Sequence, residues 1–160
     1  MRIALFPGSF DPMTNGHLDI AKRASVIFDK VYIAIGNNAG KKSMFTPEER
    51  LLLVKESVKD IDNVDVCSIN GLVVTHAKEI GAGWIIKGLR DENDFRYELD
   101  LERNNKFIEP GVETIYFSAS RENISTRSSA IKEFIQYGVD VTGFLPPPFA
   151  RAIKERFFSS

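Results

Sequence analysis

The chain has 160 residues, with 21 Lys and Arg against 22 Asp and Glu and a formal net charge of −1 at pH 7. That length suits one domain with its own core; the charge balance excludes bulk attraction to nucleic acid or to an anionic membrane, so any anion must be held by locally placed cations. Cys67 is the only cysteine, no internal disulfide is possible, no apolar run approaches bilayer length and no signal-peptide pattern precedes Phe6, so a soluble cytoplasmic protein is expected.

The first element is an apolar run, Ile3–Phe6, read as a buried strand. It breaks at Pro7-Gly8-Ser9-Phe10-Asp11-Pro12, and a helix opens near Thr14-Asn15-Gly16-His17. A strand, a glycine turn and a helix start in that order form an anion site, because backbone N–H groups and the helix dipole both favour negative charge. The segment carries neither the lysine of a Walker loop nor a G-x-G-x-x-G pattern. The helix His17–Phe28 is predicted to bury Ile20, Ala21, Ala24, Ile27 and Phe28. Further strands are predicted at Val31–Ile35, Val64–Ile69, Trp84–Ile86 and Thr114–Phe117.

Thr46-Pro47-Glu48-Glu49 reads as an N-cap, a first-turn proline and a capping-box glutamate, opening a helix that runs through Leu51–Val58. Leu72–Ile80 is a shorter helix ended by Gly81, and Asp94–Ile108 is long and highly charged. Ser128–Tyr137 is predicted to bury Ile131, Phe134 and Ile135, and Pro147–Phe157 closes the chain. Strands separated by helices imply right-handed βαβ units and an α/β fold: a three-layer, doubly wound parallel sheet of five strands in one domain over residues 1–160.

In such a sheet, sites lie at the carboxyl ends of the strands. Gly8–His17, Asn37–Lys42, Gly71–Thr75, Lys87–Arg90 and Ser118–Ser129 should therefore share one rim. Lys41, Lys87 and Arg90 are its candidate phosphate-binding cations. Lys42, Arg121 and Lys132, taken singly, read as solvated surface cations, and Cys67 as a small core residue. His17 faces the positive end of the helix dipole, which disfavours its charged form. Its ring has two readings: it hydrogen-bonds the preceding turn, or it donates one N–H to a phosphate oxygen, with Ser9 and the Phe10 N–H beside it. His76 is read as structural or solvent-exposed. Asp11 and Asp94 are candidates to lie near phosphates, but no carboxylate or His/Cys cluster announces a protein-held metal, and no G-x-S-x-G elbow is present.

The turn Pro7–Pro12 followed by Thr14-Asn15-Gly16-His17 resembles the signature of the nucleotidyltransferases with a T/H-x-G-H element. Lys41-Lys42 before Met44-Phe45-Thr46, Glu48-Glu49-Arg50, Gly88-Leu89-Arg90, Asp94-Phe95-Arg96-Tyr97-Glu98, Ser128-Ser129 before Ile131-Lys132-Glu133, and Asp140-Val141-Thr142 narrow the resemblance to bacterial phosphopantetheine adenylyltransferases. The resemblance spans nearly the whole chain. It implies a Rossmann-like (dinucleotide-binding-like) fold and a direct, in-line transfer of the adenylyl group of ATP to 4′-phosphopantetheine. The products would be dephospho-coenzyme A and pyrophosphate, in coenzyme A biosynthesis. It also implies Mg2+ held by the ATP phosphates and water, a homohexamer, and coenzyme A as an inhibitor.

By the same resemblance, His17, Lys41 and Ser129 are the catalytic group. ATP would be bound by Ser9, Phe10, His17, Gly88, Leu89, Arg90 and Glu98 and by Asn123, Ile124, Ser125, Thr126, Arg127, Ser128 and Ser129. Phosphopantetheine would be bound by Ser9, Lys41, Val73 and Lys87. The chain departs from the family at Lys87, where arginine is usual, at Thr126-Arg127, where Ile-Ser is usual, and at Asn123, where an aromatic residue is common. Arg127 either reaches a phosphate or points to solvent. The alternatives are the same superfamily with another acceptor, such as nicotinamide mononucleotide or a phosphoalcohol with CTP, a non-catalytic nucleotide-binding module, or a fragment of an aminoacyl-tRNA synthetase. The last lacks the length and a basic nucleic-acid face.

Overall fold

Hydrophobic alternation along the strands sets the architecture. Ala4 and Phe6 belong to one buried cluster while Leu5, between them, belongs to the other; Ile86 and Ile85 divide the same way. Each strand therefore needs cover on both faces. In the computed structural model, which describes residues 1–37, 40, 42–120, 122 and 127–159, helices supply that cover. The strands are β1 (Ile3–Gly8), β2 (Lys30–Gly36), β3 (Val64–Ile69), β4 (Trp84–Leu89) and β5 (Glu113–Ser118). All neighbouring pairs are parallel, in the order β3-β2-β1-β4-β5.

The helices are α1 (Asn15–Ile27), α2 (Pro47–Val58), α3 (Val73–Glu79), α4 (Glu92–Ile108), α5 (Ser128–Gln136) and α6 (Pro147–Ile153). A 3-10 turn at Thr142–Phe144 precedes α6 and a π-helical stretch, Lys154–Phe158, follows it. Ile20, Ala21 and Ala24 of α1, Val54 and Val58 of α2, Ile131 and Ile135 of α5, and Phe149 and Ile153 of α6 pack on one face of the sheet. Val74 and Ala77 of α3 pack on the other. Helix α4 buries none of its residues deeply, although it lies against β4, β5 and α3. No helix among the described residues is long and apolar enough to cross a membrane.

The three-layer, doubly wound fold expected from the sequence is the one observed, and the α2 cap is as read: the Glu49 N–H donates to Thr46 Oγ1 (3.2 Å) and the Thr46 N–H to Glu49 Oε2 (2.8 Å). Four details differ. Strand β4 extends three residues past Ile86, so Lys87, Gly88 and Leu89 are strand residues paired with Tyr116, Phe117 and Ser118 of β5, not loop. Ile27 and Phe134 are 47 % and 40 % exposed, because each lies at the margin of its helix's apolar stripe. The final helix turns π-helical at Lys154. Cys67 is only half-buried, and its Sγ lies 3.7 Å from His76 Nε2.

The sheet carries a seam. Strands β1 and β2 pair along their whole length, from Ile3–Lys30 to Gly8–Ile35. Strands β1 and β4 pair only at Ala4–Trp84 and Leu5–Ile85. Beyond those residues the two central strands part. The parting falls where the winding of the sheet reverses, at its carboxyl edge, where an open α/β sheet holds its ligand.

Candidate active site

The gap between β1 and β4 opens into a cavity of about 530 Å³. Phe6, Pro7, Gly8 and Ser9 form one wall, and Lys87, Gly88 and Arg90 the opposite one. Thr14, Gly16, His17 and Ile20 of the first helix close the back. Tyr97 and Glu98 of α4, Ala119, and Arg127, Ser128 and Ser129 at the start of α5 complete the lining. The cavity thus brings together Ser9, His17, Lys87, Gly88, Arg90, Arg127, Ser128 and Ser129 of the rim read from the sequence, and Glu98, which the resemblance added.

Three expected contacts do not line this cavity. Phe10 is buried beneath it, with φ at 49° and its ring edge-on to Phe6 and His17 at centroid distances of 5.5 and 5.1 Å. That left-handed conformation is uncommon for a bulky residue and marks a turn over-determined by its packing. Leu89 lies on β4 outside the lining. Val73 opens α3 and packs against the opposite-face cluster, beside the exposed Leu72 and the fully buried Val74. Lys41, Asn123, Ile124, Ser125 and Thr126, and the surface cation Arg121, lie outside the described residues.

His17 resolves its two readings into one geometry. Thr14 caps α1, and its backbone N–H donates to His17 Nδ1 at 3.0 Å, while the His17 N–H reaches Thr14 Oγ1 at 3.4 Å. A backbone N–H can only donate, so Nδ1 is the acceptor and the neutral ring carries its proton on Nε2. Burial against Phe10 and Phe6, and secondly the Arg90 charge, push the imidazole pKa down to about 4. The ring is therefore a neutral Nε2–H donor at ordinary pH.

The cations are held by carboxylates of α4. Lys87 Nζ lies 3.2 Å from Glu98 Oε2, and Arg90 Nε donates to Asp94 Oδ2 at 3.0 Å. Arg127 lines the cavity, pairs with Asp91 and lies 3.6 Å from Asp94, joining the N-termini of α5 and α4 across the cavity mouth. Asp94 thus pairs with Arg90 and lies near Arg127. The Lys87–Glu98 pair lacks hydrogen-bond alignment, and Glu98 Oε2 is a buried acceptor with no hydrogen-bond donor among the described residues. A buried orphan acceptor costs free energy until a donor arrives.

Asp11 departs further from expectation. It is 2 % exposed, accepts from the Met44 N–H (Oδ2, 2.9 Å) and the Phe45 N–H (Oδ1, 3.0 Å), and pairs with Lys132 Nζ at 2.8 Å. It braces the loop after β2 and is not turned to the cavity, and Lys132 is a partner to a buried charge rather than a solvated surface cation. Arg50, quoted in the sequence only for its spelling, is 3 % exposed. It donates to the Ser9 carbonyl (2.7 Å), the Gly36 carbonyl (3.1 Å) and Asn37 Oδ1 (3.2 Å), tying the ends of β1 and β2. The only sequence signal for such a role was an arginine at an otherwise apolar helix position.

No group of three or more His, Cys, Asp or Glu among the described residues forms a metal-binding set. The carboxylates at the cavity are engaged by Lys87, Arg90 and Arg127, so this donor set does not fit a metal held by the protein.

A parallel sheet with an anion-directed helix start and convergent cations defines a nucleotide-binding transferase site. The cytidylyltransferase-like family model matches residues 5–134. The fold is that of a solved putative nicotinate-nucleotide adenylyltransferase from Vibrio parahaemolyticus, with a TM-score of 0.71 over 96 % of this chain and 99 % of that one, at 19 % identity. The chain is 50 % identical over 157 residues to the phosphopantetheine adenylyltransferase of Leuconostoc citreum, covering 98 % of this chain and 99 % of that protein. Identity is 46 % with that of Staphylococcus carnosus, over 96 % of each chain, and 44 % with that of Caldanaerobacter subterraneus, over 100 % of each. The chain belongs to the phosphopantetheine adenylyltransferase family of nucleotidyltransferases.

Proposed function

We propose that this protein is an enzyme that joins ATP and 4′-phosphopantetheine, giving dephospho-coenzyme A and pyrophosphate. The observation that carries the proposal is the convergence of Ser9, His17, Lys87, Arg90, Ser128 and Ser129 on one cavity at the β1–β4 seam. Relatives of that name over the full chain support the acceptor.

A phosphate oxygen of phosphopantetheine attacks the α-phosphorus of ATP. One P–O bond forms and the α–β bridge breaks, so pyrophosphate leaves with the electron pair and no covalent enzyme intermediate arises. Such transfers need positioning and charge stabilisation rather than covalent help. His17 donates its Nε2–H to an oxygen of the α-phosphoryl group as negative charge builds there. Ser9 and the Phe10 N–H hold the triphosphate from the turn; Arg90 and Arg127 meet it from the mouth; Ser128 and Ser129 meet its β- and γ-phosphates at the start of α5. Gly88 and Leu89, with the segment Asn123–Thr126, flank the nucleoside. The orphan Oε2 of Glu98 accepts from a nucleoside N–H or O–H. Lys41 and Lys87 hold the acceptor's phosphate, and Val73, at the start of α3 outside the cavity lining, contacts the pantetheine arm where it extends beyond the cavity.

Magnesium enters on the ATP phosphates with its own water ligands and supplies neutralisation of their charge. The assembly proposed is a homohexamer and the compartment the cytoplasm, with coenzyme A competing as an inhibitor. Incubation with ATP, magnesium and phosphopantetheine should release pyrophosphate and form dephospho-coenzyme A. Absence of product, or faster turnover of nicotinamide mononucleotide in an acceptor panel, would reject the reading.

A further inference from the structure

Two segments that line the cavity, the turn after β1 and the start of α5, meet the loop before α2 at one buried carboxylate outside the cavity. Asp11 lies on the turn after β1, two residues beyond Ser9. It accepts the Met44 and Phe45 N–H groups of the loop leading into α2. Lys132 reaches it from α5, one turn beyond Ser128 and Ser129. A second tether runs alongside: Ser128 Oγ donates to the Pro12 carbonyl at 2.9 Å. Besides these contacts and the Arg127 pairs at its N-terminus, α5 is anchored by Ile131 and Ile135 in the core. Apolar packing is non-directional and leaves sliding and rotation weakly specified. The buried Asp11 carboxylate ties Lys132 to one place, because a lost partner would leave its charge uncompensated.

We infer that Lys132 is a positioning residue for the triphosphate: its ion pair with Asp11 fixes the rotation and height of α5, and so places Ser128 and Ser129 opposite Ser9 and His17. Lys132 does not line the cavity, so it acts only through Asp11 and through the helix it rides on. The inference rests on the cavity being the nucleotide site; it does not depend on which acceptor is used.

The test separates positioning from bulk stability. Lys132→Met removes the ammonium and keeps much of the apolar stem; Lys132→Arg keeps the charge. ATP binding to the full chain, measured by calorimetry with magnesium and no acceptor, is expected to weaken on the order of tenfold or more in Lys132→Met. Lys132→Arg should recover most of it. In steady state the KM for ATP should rise while the KM for phosphopantetheine stays within about twofold, since a displacement of α5 acts on one substrate. ATP affinity unchanged in Lys132→Met, whatever its melting temperature, overturns the inference. So does an equal rise in both KM values. Should Lys132→Met fail to fold, Lys132→Gln is read by the same two measurements. Wild-type protein that binds ATP yet forms no product with phosphopantetheine would refute the acceptor and leave the Lys132 comparison intact.

Discussion

The backbone N–H of Thr14 points at His17 Nδ1 from 3.0 Å, and a cap hydrogen bond thereby sets the tautomer of the candidate catalytic ring. The same bond that ends the helix correctly also leaves Nε2–H as the ring's donor. His17→Ala should keep the fold and lower kcat by about 10²–10³-fold, the usual cost of one transition-state donor. His17→Gln, which keeps a side-chain N–H donor, should recover part of the loss. Pyrophosphate release at saturating substrates checks both; an unchanged rate in His17→Ala would return the ring to a purely structural role.

The depressed pKa of His17 predicts a particular acid response. Above pH about 6.5 the ring is neutral in folded and unfolded chains alike, and contributes no pH dependence. As pH falls from about 6.5 towards about 4, the unfolded chain takes the proton first, so stability is lost, in total by roughly 3 kcal/mol. Proton NMR of the ligand-free protein should show the His17 ring silent until below pH 5. A His17 titration near its ordinary value would show that the ring is not desolvated.

A Cβ on Gly88 would stand 2.6 Å from Ile20 Cδ1. Ile20 is buried and lines the cavity from α1, one turn after His17. Gly88→Ala must therefore turn that methyl aside, at a cost of about 0.5–1.5 kcal/mol for an off-rotamer side chain, and so reshape the cavity wall. The KM for ATP should rise. A KM at the wild-type value, with full stability, would mean that the strand and helix have slack the geometry does not suggest.

Two ion pairs should differ sharply in energy. Arg127 with Asp91 is half-exposed on both sides, so Arg127→Ser should cost less than about 1 kcal/mol. Asp11 is buried with two backbone donors and Lys132 as its counter-charge, so Asp11→Ala should cost about 3–5 kcal/mol, because two buried N–H groups lose their acceptor and Lys132 loses its partner. Urea unfolding of the two variants gives the comparison directly; equal costs would contradict it.

The strands and caps were legible because their signals are local. Alternation and valine-isoleucine runs mark β1 to β5, and Thr46-Pro47-Glu48-Glu49 spells its own cap. The rim was legible because parallel topology forces every strand's carboxyl end to one edge. What failed was of another kind. The end of β4 was misplaced because Lys87 and Gly88 look like loop residues, although pairing with β5 holds them in the strand. Lys132 and Arg50 were underrated because their partners are 121 and 41 residues away in the chain, at Asp11 and at the Ser9 carbonyl. The state of Arg127 depended on two aspartates of another helix. Long-range polar partners leave no periodic trace in a sequence, whereas the apolar face does.

The unzipped stretch between β1 and β4 has a consequence for how the empty and filled enzyme differ. Where most sheets are stitched across their centre, this one is fastened there by two residue pairs, Ala4–Trp84 and Leu5–Ile85. A nucleotide lodged in the opening takes over the bridging that backbone rungs provide elsewhere. Its arrival should slow amide exchange on both sides of the split at once, so that the guest becomes a rivet in the host's own architecture.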